Sequence, residues 1–194
     1  MKVLQNKTLW IAAALVALIA LTRFNHFGSS AALPDASYAV YFLGGLFLGR
    51  VRGGLAILAL LLVEAALVDY YAINFAGVSG WCVTSAYGFL VFAYSALWFV
   101  GRWYAPRHDL TVKGLSGLFA AAVAAGSLAF VIANVSFYLL AGYFGSMGVW
   151  EFATSVSQYY GSYVAVAVAY IGCAVILQML IGISTGKAQR SKAV

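Results

Sequence analysis

Charge is what this chain has least of. Of its 194 residues, 11 are Lys or Arg and five are Asp or Glu, together 8%, where a soluble domain carries about 25%. So few charges cannot cover a globule against water, which argues against a soluble enzyme, a nucleic-acid-binding domain and a disordered segment alike. The absence of CxxC argues against a membrane thiol oxidoreductase. The two histidines, His26 and His108, are expected on opposite faces, where they cannot pair on a haem within the bilayer. No GxxxxGK[ST] loop is present to hold ATP. What is abundant is apolar: 64% of the residues, with a mean hydropathy of +0.95. Lipid is the solvent that suits such a composition.

Apolar runs fall at about 8–22, 38–49, 53–70, 83–103, 114–142 and 158–184. A membrane span needs about 20 residues. The last four runs are long enough. The first is long enough only if it starts near Val3. The second must start near Ala36 or be sheltered by neighbours. The expected fold is one all-α integral membrane domain over 1–194, with six transmembrane helices. Six spans put both termini on one side, with Lys2, Lys7, Arg50, Arg52, Arg102, Arg107, Lys113, Lys187, Arg190 and Lys192. Arg23 alone lies on the other. The positive-inside rule makes the ten-residue side the cytoplasm, so both termini are expected there. The basic residues then read as topology anchors and lipid contacts, with no nucleic-acid partner. The first run has no small-x-small cleavage site after it and reads as a helix rather than a signal peptide.

Connections on the basic side are short, whereas those on the opposite face are expected at 23–37, 71–82 and 143–157. They carry Gly, Ser, aromatics and acids, and long loops in a small domain usually serve function. The middle loop holds Cys82, just before the fourth helix. A thiol at a helix N-terminus is expected to favour the thiolate, a soft ligand and nucleophile; the plainer reading is a small buried hydrophobe. Asp69, Tyr87 and His26 are placed near the same mouth, within reach of a polar ligand. Glu64 is the one acid well inside a span, where carboxylates are costly. Cys173 continues Gly161, Ala165 and Ala169 at four-residue spacing, a packing stripe like Gly117/Ala121/Ala125 and Ala13/Ala17. Gly77-Val78-Ser79-Gly80 matches the GxSG of rhomboid-type proteases, but no histidine follows on the last three helices to act as base.

Six helices in about 190 residues, with short basic turns on one face and a structured opposite face, resemble the S-components of energy-coupling factor vitamin transporters. The segment Gly80-Trp81-Cys82-Val83-Thr84-Ser85-Ala86-Tyr87 resembles the BtuM-type cobalamin uptake proteins. That resemblance implies an S-component-like bundle in the bacterial inner membrane, taking up cobalamin or cobinamide from the outer side. It makes Cys82 the axial ligand of the corrinoid cobalt, the only metal contact implied. The chain has no cofactor of its own; cobalamin is the cargo. Corrin amides suit Asp69, Tyr87 and, less strongly, His26, while Trp81 and Tyr71 would line the flat face. Small residues on the first helix, here Ala13 and Ala17, would meet an energy-coupling ATPase module. The implied protein is a transporter, not an enzyme, although a thiolate on cobalt would also weaken an upper cyanide ligand. The alternatives are an S-component-like transporter for another vitamin and a non-catalytic membrane subunit that binds a protein.

Overall fold

The computed structural model describes residues 2–25 and 33–191, with side chains over 7–24 and 33–182. The described residues form six α-helices and no strand. These are α1 (Lys2–Thr22), α2 (Ser37–Leu48), α3 (Gly54–Phe75), α4 (Leu90–Tyr104), α5 (Val112–Leu140) and α6 (Val149–Ser191). Three-residue 3₁₀ turns follow α1 and α4, and a 3₁₀ turn over Ser85–Phe89 precedes α4.

Three helices, α3, α5 and α6, are long and apolar enough to cross a membrane. Their outward faces are greasy throughout: Leu55, Leu60, Val63 and Leu67 on α3 and Ile176, Leu177, Leu180 and Ile181 on α6 are all exposed. A continuous apolar surface of that extent belongs in lipid. The apolar run at 83–103 is corrected to a shorter helix. α4 has 15 residues, because the chain before it winds into the tighter 3₁₀ turn that lays Tyr87 against Asp69.

The core is built around α2. It has 12 residues and begins at Ser37, so it stays short and is sheltered instead. Ala36, Ala39, Val40, Tyr41 and Phe42 have no exposed surface, and α2 packs against each of the other five helices. Its crossing with α4 is backbone to backbone. A Cβ at Gly45 would fall on the Trp98 carbonyl, and one at Gly101 on the Phe42 carbonyl. Glycine here is the condition for the two helices to touch.

The turn from α2 to α3 spans residues 49–53 and closes on Gly53, whose φ of 86° favours glycine. It lies beside the end of α4, where Gly49 meets Arg102. Arg50, Arg52, Arg102, Arg107 and Lys113 therefore gather at one end of the bundle. The other end holds the close of α1 and α3 and the start of α2 and α4.

Small residues divide between the two sides of the helices. Gly117, Ala121 and Ala125 pack inward as expected, with Gly117 against the Tyr104 ring. The stripe on α6 is corrected: Gly161, Ala165, Ala169 and Cys173 are exposed, and α6 packs through Ala167, Ile171 and Val175. Ala13 and Ala17 also face outward, beside Trp10 and Leu21. Lipid is as apolar as the core, so small size does not tell a helix which side to bury.

Candidate functional site

At the end opposite the arginine turns, a buried ion network joins four helices. α1 stops at Thr22, whose Oγ1 donates to Leu18 O at 2.7 Å and accepts from Ala36 N at 3.1 Å. That bond ties the close of α1 to the start of α2. The next residue, Arg23, turns inward and is 1% exposed. Its Nε and Nη2 donate to the two oxygens of Asp69 at 2.8 and 2.7 Å, a bidentate fork. Nη1 donates to Ser37 Oγ at 2.8 Å and to Tyr94 OH at 2.7 Å. Asp35 stands 3.8 Å from Nη1 and accepts from Ser37 N and Oγ at 2.9 and 2.6 Å, which starts α2. Tyr94 stacks on Tyr41, their centroids 4.3 Å apart. One guanidinium thus holds α1, α2, α3 and α4 together. The sequence marks it only as the one basic residue of its face; its partners lie 14, 46 and 71 residues away, and no local pattern marks them.

Cys82 sits over this network on an exposed turn at residues 81–82. α3 ends where Ala76 and Val78 both donate to Ala72 O, with Gly77 at φ 71°. Ser79 Oγ then accepts from Trp81 N at 3.3 Å. The expected thiolate is corrected. The 3₁₀ turn starts at Ser85, and its free N–H is taken by Thr84, whose Oγ1 accepts from Ala86 N at 3.2 Å. Val83 N and Thr84 N bond Gly80 O and Cys82 O. Partial burial and the nearby Asp69 carboxylate push the thiol above its ordinary range instead, so at neutral pH it is S–H.

Asp69 and Tyr87 stand beside it as a pair. Tyr87 OH donates to Asp69 Oδ2 at 2.5 Å, and burial with this bond holds the phenol protonated. Asp69 is buried and shared between Arg23 and Tyr87. Tyr87 is half-buried and reaches a small open cleft between α3 and α4, about 80 Å³, with Leu62, Ala66 and Val91 at its walls and Arg23 and Tyr94 deeper in.

The aromatic residues diverge around this centre. Trp81 stacks on Tyr143 at 5.2 Å and meets Phe137 edge-on, so the loop leans on the end of α5. Tyr71 lies toward the other side, edge-on to Phe24 after α1 and beside Phe75. Both are about half exposed. His26 lies outside the described residues. The third loop is shorter than expected, because α6 begins at Val149 and only residues 141–148 connect it to α5. His108 is at the opposite end, bonded to Gln178 at 2.9 Å, so among the described residues no histidine approaches Ser79. Among those residues no group of three His, Cys, Asp or Glu side chains is placed to hold a metal ion.

No family model matches this chain, and no curated protein matches it in sequence. Its function is read from its own residues.

Proposed function

We propose that this is a bacterial inner-membrane uptake protein of six spans that binds cobalamin, or cobinamide, from the outer side. Cys82 supplies the axial ligand to cobalt. The observation that carries the reading is the exposed Cys82 thiol near the buried Asp69 and its half-buried partner Tyr87, with Trp81 and Tyr71 half exposed on either side. A flat ligand with amides on its rim suits an open face with aromatic and hydroxyl groups better than a closed cavity. Sulfur is a soft donor suited to cobalt. The metal would arrive inside the ligand.

The five arginines and lysines of the short turns would face the cytoplasm, with both termini on that side. The exposed face of α1 that carries Ala13 and Ala17 would be where a separate energy-coupling ATPase module docks. Ligation would exchange one axial ligand of cobalt for sulfur and release the thiol proton. Because the thiol is held above its ordinary range, binding through sulfur should tighten as pH rises, on the order of tenfold per unit until the thiol has titrated.

The test is an absorption spectrum of purified protein incubated with cobalamin and desalted, beside Cys82→Ser. Retained corrinoid with a shifted spectrum that reverts in Cys82→Ser is the expected result. Retention indifferent to Cys82 would remove the cobalt–sulfur bond from the reading. If neither protein retains corrinoid, titration against riboflavin, thiamin and biotin takes the place of cobalamin.

A further inference from the structure

Asp69 has an arginine; Glu64, five residues earlier on α3, has none. On a helix those five residues set it about 7.5 Å farther from the Arg23 end. It shares a face with Val68 and with Tyr71, which meets Phe24 just after α1, so it lies along the seam where α3 packs against α1. Glu64 is half-buried; its Oε2 is enclosed and, among the described residues, has no hydrogen-bond partner.

Among the described residues, α1, α2 and the Arg23 turn supply none. The buried α1 residues along this stretch are Leu15, Ile19 and Thr22. Thr22, the polar one, already donates to Leu18 O and accepts from Ala36 N. From α2 the group that acts on Glu64 is Tyr41, whose hydroxyl donates to Leu61 O at 2.9 Å. Arg23 is occupied by Asp69, Ser37 and Tyr94, with Asp35 near. An ionised carboxylate would stand with one oxygen bare in an apolar seam of a membrane-crossing helix, which is strongly unfavourable. The neutral acid carries no such charge.

We propose that Glu64 is a proton-binding site at the α1–α3 seam, a neutral carboxyl that gives its proton to water when that seam opens. The proton passes to water as the acid ionises and returns from it on closing. A carboxyl of this kind would couple movement of α1 to proton uptake, and it does so whatever ligand the outer face takes.

Dicyclohexylcarbodiimide tests this on the whole protein in liposomes, because the apolar reagent adds to protonated carboxyls. The acid proton moves to one nitrogen, the carboxyl oxygen bonds the central carbon, and rearrangement leaves a stable N-acylurea with nothing expelled. Peptide mass spectrometry is expected to find the adduct on Glu64 and none on Asp69. Its rate should be constant at low pH and then fall on the order of tenfold per unit once the carboxyl ionises. Glu64→Gln should remove it. Absence of the adduct at about pH 6, when the unfolded protein labels at Glu64, overturns the proposal. So does a rate that never changes with pH, since the proton would then never exchange.

Discussion

Arg23 shows how much one side chain can hold in a bundle with so few polar contacts. Its guanidinium is enclosed by Asp69, Asp35, Ser37 and Tyr94 and belongs to a turn of three residues. Removing it would strand Asp69 without its cation. Arg23→Met should therefore cost about 3–5 kcal/mol, the range for breaking one side of a buried pair. The measurement is the thermal midpoint of the detergent-purified protein, with Arg23→Met/Asp69→Leu recovering part of the loss. A midpoint unchanged by Arg23→Met would mean the fork carries no structural weight. Residue by residue, the sequence was readable where the neighbours in the chain set the property. Cys82 was recognisable as an exposed loop cysteine. Its ionisation was not, because burial and then Asp69, 13 positions away, raise it, and Thr84 takes the N–H at the start of the 3₁₀ turn.

Among the elements, the α2–α4 crossing is the most exacting. Gly45 lies against the Trp98 carbonyl, which belongs to a helix backbone and cannot swing aside. Gly45→Ala is expected to cost at least about 1–3 kcal/mol, as overpacking does. Gly172 on α6 has open space where a Cβ would go, so Gly172→Ala should stay within about 0.5 kcal/mol of the parent. Melting the two variants side by side checks both, and equal midpoints would refute the crossing. The long apolar helices α3, α5 and α6 were legible from run length alone. Their faces were not. In water a helix marks its buried side by polarity, but here core and lipid are alike, so Gly161 and Ala165 could be assigned inward when they face out. The start of α6 was missed for a related reason. The segment 149–157 holds Glu151, Thr154, Ser155 and Ser157 and reads as loop, yet it continues the helix by more than two turns.

At the scale of the molecule the charges sort by end. Arg50, Arg52, Arg107 and Lys113 are exposed at one end, while Cys82 is exposed at the other. An impermeant maleimide added to intact cells should label Cys82 without permeabilisation. Val51→Cys, placed in a Cys82→Ser background, should label only after the membrane is opened. The reverse pattern would invert the assigned topology. α6 adds an asymmetry, since 43 residues make a rod about 65 Å long, roughly twice the hydrocarbon thickness.

The wrapping of α2 bears on how the chain is made. At about 18 Å it is too short to cross about 30 Å of hydrocarbon on its own, and four of the five helices that enclose it, α3, α4, α5 and α6, follow it in the chain. A ribosome delivers α2 before most of its shelter exists. With α2 as one of the six proposed spans, insertion would not be a series of independent steps; α2 would wait, beside α1 or in the insertion machinery, until the rest of the chain arrives to close around it.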